Sequence, residues 1–314
     1  MKQISLLSVL VPVYNEQECI AILHQRLSAV LDKLDFKSEI LFVNDGSTDN
    51  TISEIQKLQK KDSRVVFLDL SRNYGKETAM AAGIDFIKGD ALVIIDADLQ
   101  DPPELIINMV EGIEEGYDDV YAKRISRDGE SFLKKYTSKK YYQWLKKFSN
   151  IPVQEDTGDY RMFSKKAIDA LKQLKESERN MKGLFSYIGF KKKPLLYNRD
   201  PRVAGETKWN YKKLTGLAIK GLTAFSITPL RIVSIVGILV SFCALLYLLT
   251  IIFLAIVYGN PVDGYPSLIS AILFLGGIQL LALGVIGEYV GIIYTETKKR
   301  PIYYINEYSD SNKE

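Results

Sequence analysis

The chain has 314 residues, and its 41 Lys and Arg against 38 Asp and Glu leave a net charge of +3. That length suits one large domain or two smaller ones, and so even a balance gives no global footprint for a nucleic-acid partner. A single histidine, His24, argues against a zinc-protease motif or a Ser-His-Asp triad, and Cys19 and Cys243 lie in different regions and suggest no disulfide or metal site, as expected in a reducing compartment.

From the N-terminus, short β-rich runs alternate with helical stretches. LLSVLVPVY (6–14), EILFVND (39–45), RVVFLDL (64–70), ALVIIDA (91–97) and DDVYAKR (118–124) predict strands. EQECIAILHQRLSAVLDKL (16–34), TDNTISEIQKLQKK (48–61), KETAMAAGIDFIK (76–88) and PPELIINMVEGIEEG (102–116) predict the helices between them. His24 falls inside the first helix as a structural residue. The opening apolar run is too short, and too soon polar, for a signal peptide. Strands alternating with helices imply βαβ units and a mostly parallel sheet, whose ligands bind at the carboxyl ends of the strands. Polar groups stand at those ends: Asn15 and Glu16, Asn44 and Asp45, Ser71 and Arg72, Asp96 and Asp98. Neither a P-loop nor a GxGxxG fingerprint occurs, so a nucleotide would be held by other means.

The fourth strand runs into VIIDADLQDPPE (93–104), which crowds Asp96, Asp98, Asp101 and Glu104 together. Strand alternation would put Asp96 and Asp98 on one face, and Gln100 would add a third oxygen if the extended path continues. Such an oxygen set suits Mg²⁺ or Mn²⁺ completed by a substrate diphosphate. The plainer alternative is a loop capping the next helix, with Asp101 as its N-cap and Pro102 and Pro103 beside the first turn.

Farther on, SFLKKYTSKKYYQWLKKF (131–148) reads equally as a solvated helix face and as a headgroup contact. YKKLTGLAIKGLTAFSITP (211–229) predicts an interfacial amphipathic helix. Residues 232–262 and 264–287 contain no Asp, Glu, Lys or Arg. Each is long enough for a membrane span of about 20 residues. The expected hairpin occupies residues 230–300, with spans near 232–258 and 265–287 joined through GNPVDG. Lys212, Lys213, Lys220 and Arg231 precede it, Lys298, Lys299 and Arg300 follow it, and the loop carries only Asp263. Positive flanks stay cytoplasmic, so a multi-pass plasma-membrane protein with both termini and the first 210 residues in the cytosol is expected. Residues 301–314 read as a loose polar tail.

VPVYNE (11–16), VNDGSTD (43–49), DADLQDPPE (96–104), TGDYR (157–161) and RVAGETKW (202–209) follow one another in a single order. Together they resemble the polyprenyl-phosphate glycosyltransferases, a branch of the inverting GT-A nucleotide-sugar transferases that includes dolichol-phosphate mannose synthases. The likeness covers residues 4 to about 210 and extends to bacterial members with a two-helix membrane hairpin. It implies an α/β GT-A domain, Rossmann-like with a mostly parallel sheet, over residues 1–210. It also implies roles by position. Pro12, Tyr14 and Glu16 would line the nucleoside pocket, Asp45 would bond the base, and Asp96, Asp98 and Gln100 would hold the metal on the donor diphosphate. Asp159 would stand at the reacting centre. Arg202 and Lys208 would bind phosphate, and Arg124 and Arg127 the lipid phosphate. The reaction implied is transfer of a hexose, with glucose from UDP-glucose leading, to undecaprenyl phosphate at the cytoplasmic leaflet. GDP-mannose and UDP-4-amino-arabinose-type donors, a catalytically silent membrane scaffold, and homo-oligomerisation stay open. Since a lipid phosphate needs little deprotonation, Asp159 is expected to orient the acceptor by pairing with Arg161 or a neighbouring arginine.

Overall fold

The computed structural model describes residues 4–125, 157–177, 179–198, 228–258 and 264–310. The basic aromatic stretch, the predicted interfacial helix up to residue 227, and Arg127, Arg202 and Lys208 lie outside them. Five strands fall where the apolar runs predict them: β1 (Leu6–Val13), β2 (Lys37–Asn44), β3 (Val65–Leu70), β4 (Ala91–Ile94) and β5 (Asp119–Arg124). Between them run α1 (Ile20–Leu31), α2 (Thr51–Gln59), α3 (Lys76–Phe86) and α4 (Leu105–Glu114). Then follow β6 (Thr157–Ser164), α5 (Lys165–Gln173), α6 (Met181–Tyr187), β7 (Lys192–Tyr197), the long helices α7 (Thr228–Tyr258) and α8 (Tyr265–Thr297), and β8 (Ile305–Asp310).

The eight strands form one sheet in the order β7-β5-β6-β4-β1-β2-β3-β8. β4, β1, β2 and β3 are mutually parallel, while β6 runs antiparallel to β4 and β5. Parallel strands covered on both faces read as near-continuous apolar runs, and from Leu7 to Val13 every residue of β1 is buried. Successive side chains serve opposite layers. Val9 and Val11 pack with α1, α2 and α4, whereas Leu10 packs with α3, α5 and α6. The chain visits β1, β2 and β3 on one side and then crosses to β4 on the other, so the strand order reverses between β1 and β4. A crevice opens at such a switch point.

One expectation changes at the C-terminal end. Residues 301–314 do not form a loose tail throughout. Ile305–Asp310 pairs antiparallel with β3, Tyr304 O accepts from Ser71 N at 3.0 Å, and Asn306 Nδ2 donates to Asp69 at 2.8 Å. The segment is polar because it is a sheet edge, and Tyr308 packs tilted on Phe86 at 5.0 Å. The second long helix also continues past the predicted span end at 287 to Thr297, carrying Glu288 and Glu296. At 1.5 Å per residue, α7 and α8 each measure about 45–50 Å, and Ile238, Leu239, Leu249, Leu280, Leu281 and Leu283 are among their exposed apolar side chains. Among the described residues, Phe274–Thr297 is long and apolar enough to cross a membrane.

β6 is held by a buried ion pair that takes Arg161 away from its expected partner Asp159. Arg161 Nη1 donates to Asp119 Oδ2 at 3.1 Å with both side chains buried, Lys192 lies 3.6 Å from the same oxygen, and the guanidinium stacks 4.5 Å from the Phe185 ring centroid. Removing one member of a buried pair leaves the other uncompensated, at about 3–5 kcal/mol. Asp119→Ala is therefore expected to lower the thermal unfolding midpoint of the detergent-solubilised protein by several degrees. An unchanged midpoint would show that the pair contributes nothing.

Candidate active site

The carboxyl ends of β1, β2 and β4 open on a cavity of about 320 Å³ lined by Pro12, Tyr14, Glu16, Asp45, Asp96 and Asp98, together with Asn73, Gly75 and Lys76. The predicted nucleoside and carboxylate positions thus converge, and local chemistry explains how. Asn15 takes a left-handed backbone (φ 54°) as the chain leaves β1, which asparagine tolerates better than most residues. Its Oδ1 accepts from Thr48 N at 2.8 Å, its own N–H reaches Ser47 Oγ at 2.9 Å, and Glu16 N–H reaches Thr51 Oγ1 at 2.9 Å. The loops after β1 and β2 are thereby stitched together. Gly46 (φ 64°) is required here, since a Cβ would come 2.4 Å from the backbone of Arg72.

Asp45 is buried and accepts from the backbone N–H groups of Tyr74 at 2.7 Å and Gly75 at 2.9 Å. Burial raises its pKa against the lowering effect of those bonds. It fixes the loop leading to α3 as well as lining the pocket. Tyr14, also in the lining, is 37 % exposed.

The DxD does not lie on a strand. β4 ends at Ile94, and Leu99 turns left-handed (φ 58°) while buried, so the extended path that would align Gln100 is broken. Gln100 N–H instead donates to Asp98 Oδ1 at 3.2 Å. Nor does Asp101 cap α4, whose first helical residue is Leu105. Its buried carboxylate accepts from the Tyr197 hydroxyl, which itself lies 3.5 Å from Arg124 Nε. Tyr160 adds a bond to Pro102 O at 2.8 Å. Two tyrosines therefore tie the exit of the carboxylate loop to β5, β6 and β7, with Arg124 joined to the same network.

Asp159 pairs with neither Arg161 nor another arginine. Arg161 pairs instead with Asp119, and Asp159, two residues earlier on the same strand, meets Lys76, whose Nζ lies 2.6 Å from Asp159 Oδ2. The same ammonium stands 2.6 Å from Asp96 Oδ1, out of hydrogen-bond alignment, and donates to Asp96 Oδ2 at 2.8 Å. Lys76 joins the loop after β4 to β6, a role that no sequence pattern signals, because its partners are 20 and 83 residues away. Burial disfavours the Asp159 carboxylate, but attraction to Lys76 and Lys182 and the bond from Lys76 outweigh it and hold the carboxyl well below its ordinary range.

Among the described residues no three His, Cys, Asp or Glu side chains already converge as a metal cage. The oxygens nevertheless suit a hard cation that keeps outside ligands. Asp96 and Asp98 both line the cavity, and Asp159 Oδ1 is buried with no hydrogen-bond partner.

Glu77, next to Lys76, accepts from Met181 N at 2.7 Å. Burial, then repulsion from Asp159, push its pKa up to about 7 against that bond and the neighbouring lysines. The folded state therefore holds an extra proton between pH 4.5, the ordinary value, and about 7. That contribution is full at the acid end and is lost as pH rises through the window. Thermal unfolding at pH 5 and pH 8 should show a smaller drop for Glu77→Gln than for the unsubstituted protein. Equal drops would remove Glu77 as the cause.

Residues 8–172 match the family described as Glycosyl transferase family 2, and residues 228–293 match the GtrB C-terminal hairpin. The chain is 45 % identical over 301 residues to an uncharacterized glycosyltransferase of Synechocystis, covering 96 % of this chain and 95 % of that protein. It is 44 % identical over 299 residues to a prophage bactoprenol glucosyl transferase homolog of Escherichia coli, covering 95 % and 98 %. A solved glucosyl-3-phosphoglycerate synthase of Mycobacterium tuberculosis aligns at 16 % identity over 70 % of this chain and 76 % of that one, with a TM-score of 0.49.

Proposed function

The chain belongs to glycosyl transferase family 2, and from that membership we propose that it moves glucose from UDP-glucose to polyprenyl phosphate with inversion at the anomeric carbon. The observation that carries this reading is the convergence of Tyr14, Glu16, Asp45, Asp96 and Asp98 on one cavity, with Asp159 joined to it through Lys76. The choice of glucose and of a polyprenyl acceptor is supported by relatives named bactoprenol glucosyl transferase, which match this chain over nearly its whole length. The hairpin match and the apolar α8 support a membrane-seated enzyme. The lysine and arginine flanks favour two spans with both ends cytoplasmic, so that donor arrives from the cytosol. In this arrangement residues 1–210 supply the catalytic machinery and residues 211–229 lie along the membrane surface.

Asp96 and Asp98, with Gln100 brought in by movement of the Leu99 turn, would hold Mg²⁺ or Mn²⁺. A divalent ion there would neutralise charge on the donor diphosphate. The chain's own groups do the rest. Tyr14 and Asp45 orient the nucleoside, Arg202 and Lys208 bind phosphate, and Arg124 and Arg127 draw the lipid phosphate toward Asp159. A lipid phosphate, with a second pKa of roughly 6 by analogy with phosphorylated side chains, is largely dianionic at neutral pH. Once positioned, its oxygen attacks the anomeric carbon as the bond from that carbon to the donor diphosphate breaks, and UDP leaves. A carboxyl held low by lysines is a weak base, so Asp159 acts mainly by orienting the acceptor and assists only its minor monoanionic form.

Purified full-length protein with undecaprenyl phosphate and labelled UDP-glucose should form lipid-linked glucose. EDTA should stop the reaction, Mg²⁺ or Mn²⁺ should restore it, and Asp98→Ala should abolish it without unfolding the protein. Full activity in chelator would remove the metal, and transfer from GDP-mannose alone would replace the donor.

Asp159→Asn is nearly isosteric and should retain measurable transfer, with a deficit that shrinks from pH 6 to pH 8 as the acceptor becomes dianionic. Complete loss at every pH, with donor binding unchanged, would make the carboxylate obligatory.

A further inference from the structure

Lys76 is the first residue of α3, where a cation opposes the helix dipole. Glu77, the next residue, has the favourable sign for that position. Lysine is thus a poor local choice, and its placement is explained only by what its ammonium reaches. The loop before it is fixed: Gly75 takes φ 94°, and its N–H is held by Asp45. The four-carbon stem crosses the cavity wall from that anchor, 40 % of the side chain exposed, and sets Nζ against Asp96 on one side and Asp159 on the other. Both contacts measure 2.6 Å. One unit of positive charge from the chain itself therefore occupies the space between the first carboxylate of the DxD and the carboxylate of β6.

Resting on the proposed role of Asp96 and Asp98, we infer that Lys76 is an internal placeholder cation that makes divalent-metal binding depend on the donor diphosphate. With no nucleotide present, an ion approaching Asp96 meets an ammonium already in contact with it and is repelled. A diphosphate in the cavity brings oxygens that lysine can follow, because its donors rotate on a flexible stem. When Nζ turns to those oxygens, Asp96 is released and the repulsion falls. Metal and nucleotide then strengthen one another's binding, and by linkage the factor is the same in both directions. The site would thus be assembled by donor binding, without a metal bound idly beforehand.

Mn²⁺ titrations followed by electron paramagnetic resonance on the full-length protein in detergent, with and without UDP, test this directly. The unsubstituted protein should bind Mn²⁺ weakly alone and much more tightly with UDP. Lys76→Met should bind Mn²⁺ alone at least about tenfold more tightly, a change of about 1.4 kcal/mol, with the UDP enhancement correspondingly smaller. Lys76→Arg, which keeps the charge, should remain weak without UDP. Lys182→Met removes a nearby charge that has no contact with Asp96, and should leave Mn²⁺ affinity close to that of the unsubstituted protein. Unchanged affinity in Lys76→Met would overturn the proposal, and so would equal tightening in Lys182→Met. Absence of Mn²⁺ binding to the unsubstituted protein even with UDP would overturn the metal reading and the placeholder together.

Discussion

Negative charge gathered at the carboxyl edge of a parallel sheet must be neutralised, and most of this molecule's particular features follow from how that is done. Asp45, Asp96, Asp98, Asp101 and Asp159 all stand on that edge in largely buried surroundings. Each would be costly as an isolated ion. The chain answers with a different device for several of them. Backbone N–H groups take Asp45, a tyrosine hydroxyl takes Asp101, and one lysine is shared by Asp96 and Asp159. The first two arrangements lock loops in place. The third leaves a buried oxygen of Asp159 without a partner. Its Lys76 and Asp96 line the cavity, as Asp45 does.

The division of labour along β6 is set by its neighbours, because the pleat puts Asp159 and Arg161 on one face and Asp119 and Lys76 approach it from different elements. Asp159 and Arg161 are two residues apart and both buried, yet they serve different ends of the problem. Arg161 satisfies Asp119 within the fold, backed by Lys192 and by the ring of Phe185. That fixes β6 between β4 and β5, and so fixes the position from which Asp159 meets Lys76. Acidic and basic groups close in sequence need not pair, because burial makes each seek the partner that completes its own desolvated surroundings.

How much of this was legible in the sequence depended on the range of the interaction. The β1–β5 run was readable because doubly buried strands are almost continuously apolar and their helices are amphipathic. The cavity lining was readable because carboxyl ends of strands are where polar residues interrupt such runs. β7 mixes lysines with proline, and β8 is a polar edge, so neither carries the apolar pattern of a central strand. The conformation of the DxD depended on Leu99 adopting a left-handed backbone, which no leucine advertises. Lys76 was invisible for a different reason. It sits in an ordinary helical stretch, and its significance comes wholly from partners delivered by β4 and β6.

The return of the chain from α8 to the sheet bears on where the acceptor can lie. Residues 298–304 alone separate Thr297 from Ile305, a tether that spans about 25 Å at most when fully extended. The tether is not slack. Tyr304 O bonds Ser71 N, and the Tyr303 hydroxyl bonds Asp85 at 3.1 Å. Glu296, in the last turn of α8, also accepts from Ser177 N at 2.7 Å in the segment after α5. The end of the apolar helix is thus attached to the catalytic sheet at its edge and at one helical layer. A sugar acceptor free in water would not need that attachment. A phosphate on a lipid tail stays at the membrane surface, and an enzyme that uses it must keep its reacting centre within a fixed short reach of that plane.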